Sequence, residues 1–313
     1  MALICILFGI IFDRMSDILE NLRNFDWFDE YSRWMLKTLP GIGSQHLSSI
    51  LILLFPIMLI VMLLQIWFDG RLLGLIDLIF GLTIFAFCLG PKDLNRQINA
   101  YLNARENADD TTARKYASAV MQKEAPENSD QQTLEVMRSV LHESNDRVFA
   151  VIFWFVVLGP FGALLYRLTA HNMRTGNATL ANAARQFQAA MAWAPAHLVA
   201  MGFALTGNYE GAKQEFSSKN KQDDLYDCNY YTLISAGQGA LKDCSPNDET
   251  ACIRSARALV LRTLVVWLAV ISILTLIGWM AWAPLLLSAK SILCATANPK
   301  VVVAIEAPVL TIR

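Results

Sequence analysis

The chain is 313 residues long, 55% hydrophobic and only 17% charged, a balance well outside that of a soluble globular protein. A formal net charge of -1 removes the argument for nucleic-acid binding, which calls for a basic stripe on one face, and the sequence shows no such stripe; the length leaves no room for a large separate catalytic domain beside a bundle of spans. The expected fold is all-α: a polytopic helical membrane protein with about four to five transmembrane helices plus amphipathic or interfacial helices.

The N-terminal segment, residues 1–47, opens with an apolar stretch from Met1 to Phe12 that is short for a span and lacks a preceding basic residue or a small-residue cleavage site. It reads as a retained short or tilted helix, or as a span continued through Asp13 and Arg14. Residues 13–47 mix both charges with Trp27 and Trp34, the pattern of a helix at headgroup level, and Pro40 to Gly43 break the chain.

Residues 48–89 predict a transmembrane hairpin: Ser48 to Phe68, kinked at Pro56, then Leu72 to Leu89. Asp77 lies inside the second span, where an ionised carboxylate is costly without a partner. Residues 90–148 are polar, and Leu94, Ile98, Tyr101 and Leu102, then Leu134, Met137 and Leu141, recur at helical spacing. Two amphipathic helices are expected, their charges on solvated faces and none of them catalytic.

Residues 149–168, FAVIFWFVVLGPFGALLYRL, have the length of a transmembrane helix, carry the small or helix-breaking Gly159, Pro160, Gly162 and Ala163, and close on Tyr166 and Arg167. Residues 169–257 are mixed. Within them Phe187 to Thr206 reads as an interfacial or re-entrant helix because Gln188, Pro195 and His197 interrupt it, with Arg185 and Gln186 just ahead. Residues 258–287 form the C-terminal span and 288–313 a tail with no functional reading. Lys and Arg concentrate before the first clear span and in residues 90–148, so the positive-inside rule favours both as cytoplasmic.

The six cysteines show no zinc spacing, and no metal or cofactor is expected. Cys5 and Cys88 read as buried small hydrophobes, and a Cys244–Cys252 disulfide requires an oxidising compartment. The run Gly207 to Lys213, GNYEGAK, has glycines and a lysine but departs from the Walker spacing and reads as an inter-helix turn. The four histidines form no recognisable triad.

Four segments in order along the chain resemble one family. Residues 149–168 look like the signature of the AmpE proteins and the related CobD/CbiB cobalamin-biosynthesis proteins. AWAPAHLVAMGFALTG, residues 192–207, is similar to the family's Tyr/Trp-x-Pro-Ala-Arg-Leu helix, with His197 where Arg is usual. CNYYTLISAGQGAL, residues 228–241, resembles its Asn-to-Ala-Leu segment, and FGIIFDR, residues 8–14, its N-terminal motif, which ends near Asp13.

The AmpE resemblance implies a multi-pass protein of the bacterial inner membrane, a signalling modulator linked to β-lactamase induction, antibiotic response and cell-wall recycling. Its expected partners are the lipid bilayer and a small-molecule ligand or a signalling protein, with no nucleic acid. The CobD/CbiB relationship implies an alternative, a membrane-embedded amide-forming enzyme. Thr169, Ala170, His171 and Asn172 stand where the enzymatic branch carries an Asn-Thr-Leu-Asp type sequence, which favours the non-enzymatic reading. Asp13, Tyr166, Arg167, His197 and Asn229 are the candidate ligand-binding residues. Converging at the rim, Tyr166, Arg167, His197 and Asn229 would make a polar pocket for an anionic ligand with Arg167 as charge partner; alternatively Arg167 snorkels to headgroups.

Overall fold

A computed structural model describes residues 2–15, 25–38, 47–68, 75–89, 94–175, 178–217, 224–241 and 249–276, and every regular element among them is helical. The helices are α1 (Ala2–Met15), α2 (Asp26–Thr38), α3 (Leu47–Phe68), α4 (Leu75–Cys88), α5 (Leu94–Glu106), α6 (Asp110–Met121) and α7 (Ser129–Ser144). A π turn (Asn145–Phe149) leads into α8 (Ala150–Leu158), followed by α9 (Pro160–Thr175), α10 (Ala178–Thr206), α11 (Tyr209–Ser217), α12 (Leu225–Ala240) and α13 (Glu249–Leu276). Residues 1–271 make one compact unit; Ser272 begins a second, of which only the end of α13 is described.

This is a helical membrane protein. Three described helical stretches are long and apolar enough to cross a bilayer, Leu47–Phe68, Leu180–Thr206 and Thr250–Leu276, and Leu75–Cys88 is a shorter apolar helix. At about 1.5 Å per residue, the helix α3 matches a hydrocarbon core of roughly 30 Å. Ile50, Leu53, Leu54, Met58 and Val61 form its buried stripe, while Phe55, Ile60, Leu63 and Trp67 are exposed. Apolar residues on both faces are what a helix between protein and lipid requires.

Two packed clusters are evident among the described residues. One joins Ile98 and Tyr101 of α5, Ala113 and Val120 of α6, Val136 and Val140 of α7, Val199 and Phe203 of α10, Leu233 of α12 and Leu259 of α13. The other joins α1, α4 and α8: Phe85 packs edge-on against Phe155 at 4.9 Å, and a Cβ on Gly81 would lie 3.4 Å from Cys5 Sγ. The buried thiols Cys5 and Cys88 act as small groups of these helices.

Several boundaries differ from those expected. Residues 149–168 are not one helix: Gly159 at φ +69° ends α8, and Pro160 starts α9. Only glycine adopts that backbone cheaply, and proline is preorganised for a first helical turn. A Cβ on Gly162 would meet Trp154 O at 2.5 Å, so the start of α9 folds tightly back on α8. Residues 187–206, expected to be interfacial, belong to one long helix. Pro195 does not break it because the carbonyl it leaves without a donor, Met191 O, accepts the Trp154 indole N–H at 3.1 Å.

The polar segment holds three helices rather than two, because Asp109 and Asn128 each cap a new start with a side-chain oxygen. The last helix begins at Glu249, before the expected 258. Asn208 Oδ1 accepts the Gly211 N–H at 2.9 Å, so the GNYEGAK run is a capped turn into α11 with that amide consumed. Cys252 is disulfide-bonded, and Cys244, the 40–43 break and the 288–313 tail lie outside the described residues.

Candidate functional site

Val136, Val140, Glu143 and Arg147 follow one another at helical spacing on α7 and its continuation, and all four are buried. The stripe that packs the core therefore runs without interruption into charged residues. The π turn follows immediately: the Ala150 N–H bonds to Asn145 O, one residue further back than in an α-helix. Such an inserted residue rotates the helix and is frequent at functional sites. Here it joins polar α7 to wholly apolar α8 while directing Asp146 and Arg147 inward.

The Glu143 carboxylate is the hub. Arg147 Nε donates to its Oε2 at 2.8 Å, and Arg174 Nη2 from α9 straddles both oxygens at 3.2 and 3.3 Å. Arg147 also donates through Nη1 to Gln97 Oε1 of α5 at 3.0 Å. Asp146 lies 3.5 Å from Arg174 through Oδ2 and accepts the Tyr166 hydroxyl at 2.9 Å through Oδ1. His142 Nδ1 sits 3.8 Å from Glu143 Oε1, with the rings of Tyr230 and Tyr226 of α12 at 5.0 and 6.1 Å.

Burial would raise the Glu143 pKa, but Arg174, the His142 hydrogen bond and Arg147 outweigh it and hold the carboxyl far below its ordinary range. Burial works against a charge on His142, yet Asp146 and Glu143 lift its pKa above the usual 6.5. The Tyr226 phenol is pushed up by burial and then by Asp146. The charges thus hold one another in place, as buried ionic groups must.

Arg167 stands at the edge of this cluster. It is 4% exposed, within the electrostatic reach of Arg174, Arg147, Cys88 and Glu143, and has no carboxylate partner among the described residues. Phe25, which precedes α2, covers the guanidinium at 5.6 Å, and its Nε has no hydrogen-bond partner. Phe25 also stacks on His171 at 4.9 Å, and His171 Nε2 lies 2.8 Å from Asp29 Oδ1 of α2. Helix α2 is thereby fixed over the Arg167 face of α9.

Of the residues expected from sequence, Tyr166 and Arg167 meet at this cluster. Asn229 is one step removed, donating to Ala189 O at 2.8 Å from α12, on the same helix as Tyr226. His197 does not join: it is half-buried and bonds back to Trp193 O of its own helix at 2.8 Å. Asp77 occupies the first turn of α4, close to Cys5 of α1 and about 16 Å along the helix from Cys88, which neighbours Arg167. The side chain of Asp13 lies outside the described residues.

Sequence reasoning missed Glu143, Asp146, Arg147 and His142, having assigned the charges of residues 90–148 to solvated faces, and gave Arg174, in the mixed segment 169–257, no role. The correction is physical: Glu143 and Arg147 continue the spacing of Val136 and Val140, and that phase was the available signal. Among the described residues no group of three or more His, Cys, Asp or Glu could hold a metal ion.

Comparison with known proteins agrees with this architecture. Residues 1–281 match the family described as "Regulatory signalling modulator protein AmpE". A protein of Chromobacterium violaceum named "Cobalamin biosynthesis protein CobD" is 28% identical over 184 residues, 56% of this chain and 57% of that relative. One of the same name from Stutzerimonas stutzeri is 28% identical over 168 residues, 51% of this chain and 54% of its own. The chain thus spans little more than half the length of these curated relatives, and no solved structure matches it significantly. With the match running from the first residue through the last described helix, the chain belongs to the AmpE family.

Proposed function

We propose that this protein is a multi-pass signalling modulator of the bacterial inner membrane, linked to β-lactamase induction and cell-wall recycling, and that it responds to a small anionic ligand. The family match supports a membrane regulatory role. The observation that carries the ligand reading is the cluster of buried Arg147 and Arg167 and part-buried Arg174 against Glu143 and Asp146, in which three guanidiniums outnumber two carboxylates and Arg167 has no carboxylate partner among the described residues. An uncompensated buried charge is expensive and is kept where it meets a ligand or a transient partner.

The test is complementation. In a strain lacking this gene, Arg174→Gln at wild-type membrane level should lose the effect of the protein on β-lactamase induction by a β-lactam. Unchanged induction would overturn the reading. The second reading, an amide-forming membrane enzyme, draws on the curated relatives named for cobalamin biosynthesis and on the same cluster. Restoration of cobalamin synthesis in a strain lacking its own such enzyme would favour it.

A further inference from the structure

We infer that the Nε edge of Arg167 is the seat of a monoanionic oxyanion, a carboxylate or a phosphodiester, held beneath Phe25. This rests on the reading of the protein as a ligand-responsive modulator and names the ligand chemistry.

Three observations converge. First, Arg167 is 4% exposed and lacks an acidic partner among the described residues, while Glu143 and Asp146 are engaged by Arg147, Arg174 and Tyr166. Second, the two surfaces of its guanidinium are used differently. The Phe25 ring lies over the face at 5.6 Å, and the Nε–H at the edge is buried and unbonded. A π face eases the burial of a cation but does not neutralise it. The in-plane edge is the fork on which carboxylate and phosphate oxygens bind in pairs. Third, three guanidiniums face two carboxylates, so the cluster is short of negative charge. A singly charged oxyanion at the Arg167 edge relieves that shortage with less repulsion from Asp146 and Glu143 than a dianion would meet.

Burial also bears on the source of the anion. With Phe25 stacked on His171, and Asp29 holding His171 at 2.8 Å, a bilayer headgroup reaches Arg167 only if α2 lifts. A small molecule that enters and is then covered needs no such permanent opening. Both sources present the same oxygens, and they differ in what stabilises the purified protein.

The experiment uses the full chain, delipidated in a maltoside detergent, with thermal unfolding followed during titration of sodium acetate against sodium chloride of equal ionic strength. A parallel titration uses phosphatidylglycerol. Wild type should show a saturable rise in Tm with one of the two. Arg167→Gln should abolish it, and Arg167→Lys, which keeps the charge but lacks the fork, should weaken it roughly tenfold or more. Acetate acting alone assigns a small carboxylate; phosphatidylglycerol acting alone assigns a headgroup. No saturable rise in wild type, or a rise that survives in Arg167→Lys and Arg167→Gln unchanged, overturns the inference. β-Lactamase induction with Arg167→Lys separates the two proposals. Lost anion binding with intact induction sinks the signalling reading and leaves the site standing, whereas absent anion binding with Arg167-dependent induction does the reverse.

Discussion

The Tyr166 hydroxyl donates to Asp146 Oδ1 across 2.9 Å, tying α9 back to the π turn on the far side of the break at Gly159. Both residues are almost fully buried. Tyr166→Phe removes a hydrogen bond to a charged group while retaining the ring, and should cost about 1.5–3 kcal/mol. Thermal unfolding in detergent measures it, and an unchanged Tm would mean that the bond contributes nothing.

Glu143→Gln should be more damaging, because it leaves Arg147 and Arg174 with a neutral partner in a buried site. A loss of about 3–5 kcal/mol is expected. The yield of monodisperse protein in detergent and its Tm check this; an effect no greater than that of Tyr166→Phe would contradict the role of Glu143 as the hub.

The raised pKa of His142 sets a pH dependence. A group protonated more readily when folded contributes stability that is full below its ordinary 6.5 and fades as pH rises through the higher folded value. Stability should therefore decline above pH 6.5, and His142→Gln should flatten that part of the profile. Glu143 acts oppositely: its depressed pKa contributes stability above its ordinary 4.5 that is lost only in acid. A Tm profile of the two variants against wild type separates these limbs.

Pro195 and Trp154 form a compensating pair. Trp154→Phe leaves Met191 O unpaired in the helix interior, at a cost of about 1–3 kcal/mol. Adding Pro195→Ala restores an N–H one turn along and should recover part of the loss. A double-mutant cycle measures the coupling, and strict additivity would show that the indole bond is incidental.

Gly159→Ala places a side chain at φ +69°, with its Cβ 3.0 Å from Gln65 Nε2. Backbone strain there should cost about 1–3 kcal/mol, read as a lowered Tm. Wild-type stability would show that the α8–α9 break tolerates an ordinary backbone.

Much of the fold was legible because length and apolarity are local properties. Leu47–Phe68 announces itself through its run of apolar residues, and the family motifs mark Tyr166 and Arg167. The break at Gly159 was visible as a glycine–proline pair but not as two helices, since whether a proline interrupts depends on what donates to the freed carbonyl. Pro195 shows the other outcome. The buried charges escaped notice because composition suggests solvent, whereas the phase shared by Val136, Val140, Glu143 and Arg147 suggests the core. Arg174 could be joined to them only by the fold, which brings α9 against the π turn.

The most direct measurement is native mass spectrometry of the gently solubilised full chain beside its folded Arg174→Gln variant. The account predicts a small anionic molecule retained by wild type and lost from the variant. Wild-type protein that is bare, or a molecule, lipid included, that is retained equally by both, would contradict a ligand-responsive role for the cluster.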